Sequence, residues 1–423
     1  MVPTPAAPRL SRSLPQVYAA AAVRLLMPLT VLPLVASRVG PEAFGRLGFI
    51  LVWSSLLSVV VEGGFLAAAT RLAVQADAAG RWRLAQQVCT ARCALSLPLL
   101  PLALLAVWIA GSADAQRWSE ALAIAALACA LGWPATWYLQ ATQQLHRWAR
   151  VELLVYAALI AACWAFAYDV ATYVALQLAA SVLLAWLGWR WLRRDLMQTA
   201  PEGGGLLARA ELGAGLRLGW TMMPVSLAGA VYSYALPAVA SLQMARAELG
   251  LYFMADRIVR AALSAADPVF SLTYPRLVRR FEAGPLAALR YAARWAAGGA
   301  LAGLAMIAAG ALLWPLAAGL LARHAGNIDL ARLHGVLAVL AWLVPLLLGW
   351  KFFGYWMLGS TRYDRAYRAC FIVGGIAGVA GAALAGGAGA VALAAVALAV
   401  EVLVIVVAVV GVRLAGPLRA AAG

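Results

Sequence analysis

The residues best equipped for chemistry in this 423-residue chain are charges set inside apolar segments. The segment 249–274 carries Asp256, Arg257, Arg260 and Asp267. An ionised group at the centre of a bilayer costs ~2.5–3.5 kcal/mol even on insertion scales. Four of them facing lipid would cost on the order of 10 kcal/mol, comparable to the net stability of a whole domain. These groups must face protein or water. Their spacing agrees. Asp256, Arg260, Ser264, Asp267, Ser271 and Tyr274 recur at three- and four-residue steps, which makes one polar stripe of a helix, with Arg257 at its margin. A guanidinium on such a stripe can grip a phosphate through charge-assisted, bidentate hydrogen bonds. The same residues would also serve as a structural ion pair, Asp256 with Arg260, that locks neighbouring helices.

Other candidates lie in other apolar segments. Arg24 sits midway through the first, and Pro28, four residues later, cannot donate the hydrogen bond that the Arg24 carbonyl would accept. A bent helix with a cation at the bend is a feature of transporter cavities; a local pair with Glu62 would also turn Arg24 inward. Lys351 is the only lysine beside thirty-two arginines and shares a helix face with Tyr355. It would add a point charge for phosphate, or snorkel to the nearby end of its segment. Trp133, Trp137, Gln140 and Gln144 share another face. Aromatic rings beside amides suit sugar rings, and the competing reading is an interfacial aromatic belt. Ser55, Ser58 and Glu62 form a further stripe, and Glu401 interrupts the apolar run around 398–407. Glu62, Asp256, Asp267 and Glu401 are the acids available for ion coupling.

The elements that must position these groups follow from composition. The chain is 65% hydrophobic and 12% charged, with a mean hydropathy of +0.86. A soluble chain carries roughly twice that charge. The apolar stretches approach the ~20 residues needed to cross a bilayer. Twelve spans are predicted, near 14–36, 44–68, 88–110, 119–140, 151–168, 171–191, 214–240, 249–274, 289–313, 333–357, 368–386 and 389–411. Arginines concentrate in alternate gaps, such as Arg71, Arg81, Arg83, Arg147, Arg150, Arg193 and Arg194, and are sparse in the others. Basic loops stay in the cytoplasm, so both termini are expected there. The net charge of +16 is thus a topology signal, and no nucleic-acid partner is expected. The five cysteines include no CxxC pair and the three histidines are scattered, so neither a metal nor a cofactor is expected.

The widest polar gap, over 193–212, contains Gly203-Gly204-Gly205 and divides the chain into lobes at 1–192 and 213–423. Met27-Pro28-Leu29-Thr30 is echoed by Met223-Pro224-Val225-Ser226, and Phe44-Gly45-Arg46-Leu47 by Leu249-Gly250-Leu251-Tyr252. Equivalent echoes in equivalent helices point to two parallel six-helix repeats. The expected site is a hydrated cationic cavity between the lobes, with Arg24, Arg257, Arg260 and Lys351 as the cations suited to phosphate and Trp133, Trp137, Gln140 and Tyr355 as the groups suited to sugar rings. Gly374, Gly378 and Gly381 read as packing positions.

Several motifs carry a resemblance. Val39-Gly40-Pro41-Glu42-Ala43-Phe44-Gly45, Glu62-Gly63-Gly64-Phe65, Leu139-Gln140-Ala141, Gly250-Leu251-Tyr252 with Ala255-Asp256-Arg257-Ile258, and Tyr274-Pro275-Arg276 occur in order. Together they resemble Wzx-type polysaccharide flippases. The chain departs from that pattern at Glu62-Gly63-Gly64, where the family has Asp-Phe-Gly, and at Leu139-Gln140-Ala141, where it has Phe-Gln-Gly. The resemblance implies the multidrug/oligosaccharidyl-lipid/polysaccharide (MOP) exporter fold with two rocking lobes in a bacterial inner membrane. It also implies an undecaprenyl-diphosphate-linked oligosaccharide as cargo, with the lipid bilayer and other polysaccharide assembly proteins as partners. The alternative is a cation-coupled multidrug exporter of the same fold. An integral glycosyltransferase or polymerase would need a large outer loop with catalytic carboxylates, and the outer gaps here are short.

Overall fold

The computed structural model describes residues 30–197, 205–264, 266, 269, 270, 273, 277, 280, 284–324, 329–358 and 363–414. They are almost entirely helical, with no strand among the described residues. In chain order the helices are α1 (Thr30–Val39), α2 (Pro41–Glu62), α3 (Phe65–Gln75), α4 (Ala78–Ser96), α5 (Leu99–Ile109), α6 (Asp114–Gly132), α7 (Thr136–Ala141), α8 (Leu145–Phe166) and α9 (Val170–Leu196). They continue with α10 (Leu212–Trp220), α11 (Met223–Ala230), α12 (Leu236–Ala240), α13 (Arg246–Ser264), α14 (Pro285–His324), α15 (Leu330–Leu340), α16 (Leu343–Leu358), α17 (Asp364–Ala385) and α18 (Ala390–Leu414). Ten stretches among the described residues are long and apolar enough to cross a membrane. The apolar α1 overlaps the end of the first predicted span and α13 the larger part of the eighth; the rest of the first span lies outside the described residues. The all-α membrane architecture expected from the sequence is the one observed.

Several spans are broken, each at a residue that cannot continue a helix. Between α2 and α3 the chain turns through Gly63 and Gly64 at φ of +61° and +76°, a region open to glycine at little cost. Pro98 separates α4 from α5, and Pro134 lies in the gap between α6 and α7. The seventh span is α11, a π-turn over Val231–Ala235, and α12 with Pro237 near its start.

The chain divides into two compact units. Unit one is Phe49–Ala230 among the described residues, and unit two is 30–48 with 231–414. This differs from the division at 193–212 predicted above. The stretch 205–211 is fastened to α4. Gln86 Nε2 donates to the Gly205 carbonyl at 2.7 Å, Gln87 Nε2 to Glu211 Oε2 at 2.8 Å, and the Ala208 N–H to Thr90 Oγ1 at 3.0 Å. These bonds carry α10 and α11 into unit one. Conversely, the Gly45 turn of α2 lies against the Arg246 backbone and Gly250 of α13, which places it in unit two.

Unit one is built on an aromatic core that includes Phe65, Trp82, Trp137, Tyr138, Trp148 and Trp189. Unit two is held by small residues at helix crossings. Gly299 and Gly303 of α14 lie on Leu348 and Pro345 of α16, and Gly374 and Gly381 of α17 admit Val404 and Val396 of α18. Packing is therefore the role the structure gives to Gly374 and Gly381.

Two glycines of α14 provide a test of this packing. A methyl at Gly303 would meet the Pro345 backbone at 2.5 Å, whereas one at Gly298 meets nothing within 4 Å. Gly303→Ala is expected to cost about 1–3 kcal/mol through overpacking, lowering the thermal midpoint in detergent by several degrees, and Gly298→Ala to leave it unchanged or raised.

Candidate functional site

A cavity of about 540 Å³ lies within unit two, its wall including Tyr232, Arg260, Ser264, Lys351, Tyr367 and Phe371. Its polar chemistry begins at the π-turn. Pro237 has no N–H, so it cannot donate to the carbonyl of Ser233 four residues earlier. The Arg260 guanidinium fills that gap, with Nη2 at 3.4 Å from the Ser233 carbonyl oxygen. Its Nε donates to Asp256 Oδ2 at 2.7 Å, one helical turn back on α13. The Asp256 side chain is 13% exposed and the Arg260 side chain 45%, so the pair presents its cationic end to the cavity. Lys351 enters from α16 with its ammonium 4.3 Å from the centre of the Phe270 ring. Two cations from different helices thus line one chamber.

A hydrogen bond supports the π-turn from behind. Tyr232 O–H donates to Glu401 Oε2 of α18 at 2.5 Å. The Tyr232 ring stands edge-on to Phe371 with centroids 5.4 Å apart, and a Cβ at position 374 would meet it at 2.8 Å. Glu401 is therefore engaged by a tyrosine. A second, apolar cavity of about 520 Å³ lies between α13, α14 and α15, with Ile258, Met306, Trp314, His334 and Leu337 on its wall.

The remaining expected residues fall elsewhere. Arg257 lies over the Phe253 ring at 4.8 Å and does not line the cationic cavity. Arg24, Asp267 and the Tyr355 side chain lie outside the described residues. In unit one the glycan face expected on Trp133 and Trp137 is occupied by protein. Trp137, expected as a sugar contact, is fully buried and edge-on to Tyr138. The Trp133 ring packs edge-on against Trp189, and its Nε1 donates to Ser96 Oγ at 3.3 Å. Gln140 is exposed. Glu62 caps the helix break: Oε2 accepts from the Gly64 N–H at 2.9 Å and Oε1 from the Leu66 N–H at 2.6 Å.

Two residues of consequence were not singled out from sequence. Tyr232 owes its position to the π-turn. Arg92, 1% exposed, is the other. Its Nη1 donates to the carbonyls of Trp133 and Pro134, at 2.8 and 3.0 Å, where the fourth span breaks. Trp189 Nε1 adds a second donor to the Trp133 carbonyl at 2.8 Å. The signals were present: an arginine one turn inside one predicted span and a proline in the next.

The model of the family described as polysaccharide biosynthesis protein matches residues 18–281, more than half of the chain. The chain belongs to that family. No curated protein sequence matches it. Its fold is shared with an inward-facing multidrug resistance MATE family transporter of the MOP superfamily, at a TM-score of 0.64 and 16% identity over 95% of this chain and 100% of that one. The lipid II flippase MurJ in an inward closed conformation gives 0.64 at 10% identity, over 93% and 87%. A MOP superfamily transporter from Pyrococcus furiosus, noted for the reverse polarity of its binding pocket, gives 0.50 at 18% identity, over 95% and 93%. For a polysaccharide biosynthesis protein with the MOP fold, the cavity of unit two is the chamber to explain.

Arg92 can be tested separately from that chamber. Arg92→Met removes the donor to the Pro134 carbonyl and leaves that group buried in an apolar span. A loss of about 1–3 kcal/mol is expected, read as a lower thermal midpoint and a smaller monodisperse fraction by size exclusion.

Proposed function

We propose that this protein is a flippase that moves an undecaprenyl-diphosphate-linked oligosaccharide from the cytoplasmic to the outer leaflet of a bacterial inner membrane by alternating access. The cargo would be a repeat unit of O-antigen, capsule or exopolysaccharide. One observation carries the reading: Arg260 and Lys351, from different helices, line a single chamber in unit two. A diphosphate carries two negative charges on a compact group. Arginine meets it with a planar fork of donors and lysine with a mobile point charge. Tyr232, Ser264 and Tyr367 add hydroxyls to the wall for a polar headgroup. The isoprenoid chain stays with lipid and with the apolar cavity on the other side of α13, where Ile258, Val259 and Ala262 face away from Arg260.

Membership of the polysaccharide biosynthesis family supports this cargo, and the flippase MurJ shares the fold. The MATE likeness favours a second reading, a cation-coupled multidrug exporter. An organic cation needs acids in its chamber. Here Asp256 is bound to Arg260 and Glu401 to Tyr232, while the cationic groups face the cavity. The charge sign supports the anionic cargo.

The deciding experiment expresses variants in a strain whose surface glycan depends on this protein. Arg260→Ala and Lys351→Ala are each expected to cut surface glycan at equal protein level, with Arg260→Lys intermediate. Losing one charge-assisted contact of about 1.5–3 kcal/mol corresponds to roughly 10- to 100-fold weaker headgroup binding. Undiminished glycan in the Arg260→Ala, Lys351→Ala double variant would remove the cationic chamber from the mechanism. Tighter binding of an organic cation than of a prenyl diphosphate would favour the exporter.

A further inference from the structure

We infer that Tyr232, held by Glu401, is a positioning residue that sets the Arg260 guanidinium for an anionic headgroup by fixing the π-turn on which that guanidinium rests. The inference builds on the proposed cationic chamber and assigns its geometry to a partner helix. Three observations converge. Arg260 has two anchors, the Asp256 carboxylate on its own helix and the Ser233 carbonyl on the π-turn. An arginine side chain tied only one turn back on its own helix would still swing about its remaining torsions. The second anchor, from another helix, stops that swing and aims the fork.

The carbonyl of Ser233 is available because Pro237 cannot donate to it. A π-turn is an irregular piece of helix, often found at functional sites, and it keeps its shape only where its surroundings hold it. The residue before Ser233 does the holding. The Tyr232 hydroxyl is fixed to Glu401 of α18, and its ring is clamped between Phe371 and the space left by Gly374 of α17. Two helices, α17 and α18, thus fix the residue next to the carbonyl that receives Arg260. An acid within the apolar α18 needs such a role, since a carboxyl group in a span is costly. Tyr232 and Glu401 need not touch the diphosphate; they act through the position of Ser233.

Binding of farnesyl diphosphate to purified full-length protein in lipid nanodiscs tests this through a double-mutant cycle. Tyr232→Phe and Glu401→Ala are each expected to weaken binding about tenfold, while Glu401→Gln, whose amide oxygen still accepts from the tyrosine, stays within about threefold of the parent. In an Arg260→Ala background Tyr232→Phe is expected to add less than about twofold, because nothing remains to be aimed. Pro237→Ala restores an N–H that competes for the Ser233 carbonyl, and should weaken binding several-fold even if Tyr232→Phe does not fold. Equal losses from Tyr232→Phe with and without Arg260 would overturn the positioning role, as would unchanged binding in Pro237→Ala. If Arg260→Ala binds like the parent, the chamber itself is misassigned and the positioning role falls with it.

Discussion

Inside a hydrocarbon layer no water can satisfy a backbone carbonyl that a broken helix leaves open, and each such group costs several kcal/mol. At three of the breaks described in this chain a side chain meets that demand. Glu62 takes the N–H groups of Gly64 and Leu66, Arg92 reaches the carbonyls of Trp133 and Pro134, and Arg260 reaches that of Ser233. Charged residues and helix breaks belong together here. The charge serves the backbone, and the break gives the charge a partner within protein.

Two arginines show how one device supports two outcomes. Arg92 is almost wholly buried, and both of its hydrogen bonds go to backbone, so its charge holds unit one together. Arg260 makes a similar backbone contact, yet nearly half of its side chain is open to a cavity that Lys351 also lines. Residue type does not separate them. Exposure does: a guanidinium enclosed in packed protein can offer its remaining donors to no ligand, whereas one held at the edge of a chamber can.

The span pattern, the membrane class and the inward turn of the α13 charges were legible because hydropathy and helical period report how a helix meets lipid. The stripe put Arg260 on a polar helix face, and the cavity it lines lies within unit two. Other assignments depended on tertiary contacts that period alone cannot show. Trp133 and Trp137 recur at helical spacing, but Pro134 breaks the helix between them, so the shared face does not exist and Trp137 points into the core. Glu62 looked like a coupling acid and is a cap, since the two glycines after it turn the chain back over its carboxylate. Arg92 was hidden because it serves a break in a different span, and Tyr232 because its partner, Glu401, lies in a different span. As expected of Pro28 for the Arg24 carbonyl, Pro237 cannot donate to the Ser233 carbonyl four residues earlier, and there a guanidinium supplies the missing donor.

A transport site must release what it binds, and the contact between Asp256 and Arg260 bears on that requirement. In an empty chamber a lone arginine would bind a diphosphate tightly and pay a large cost when bare. With Asp256 one turn away, the guanidinium is neutralised at rest, and under the proposed function a headgroup would compete with a carboxylate already in place. An ion pair this open to solvent is worth about 1 kcal/mol or less, so the competition is mild. On release the carboxylate restores the partner, and the empty site is not left with an uncompensated cation. Under the proposed function, the acid beside Arg260 would narrow the gap between the loaded and empty states, a condition that repeated turnover imposes on any carrier of a charged cargo.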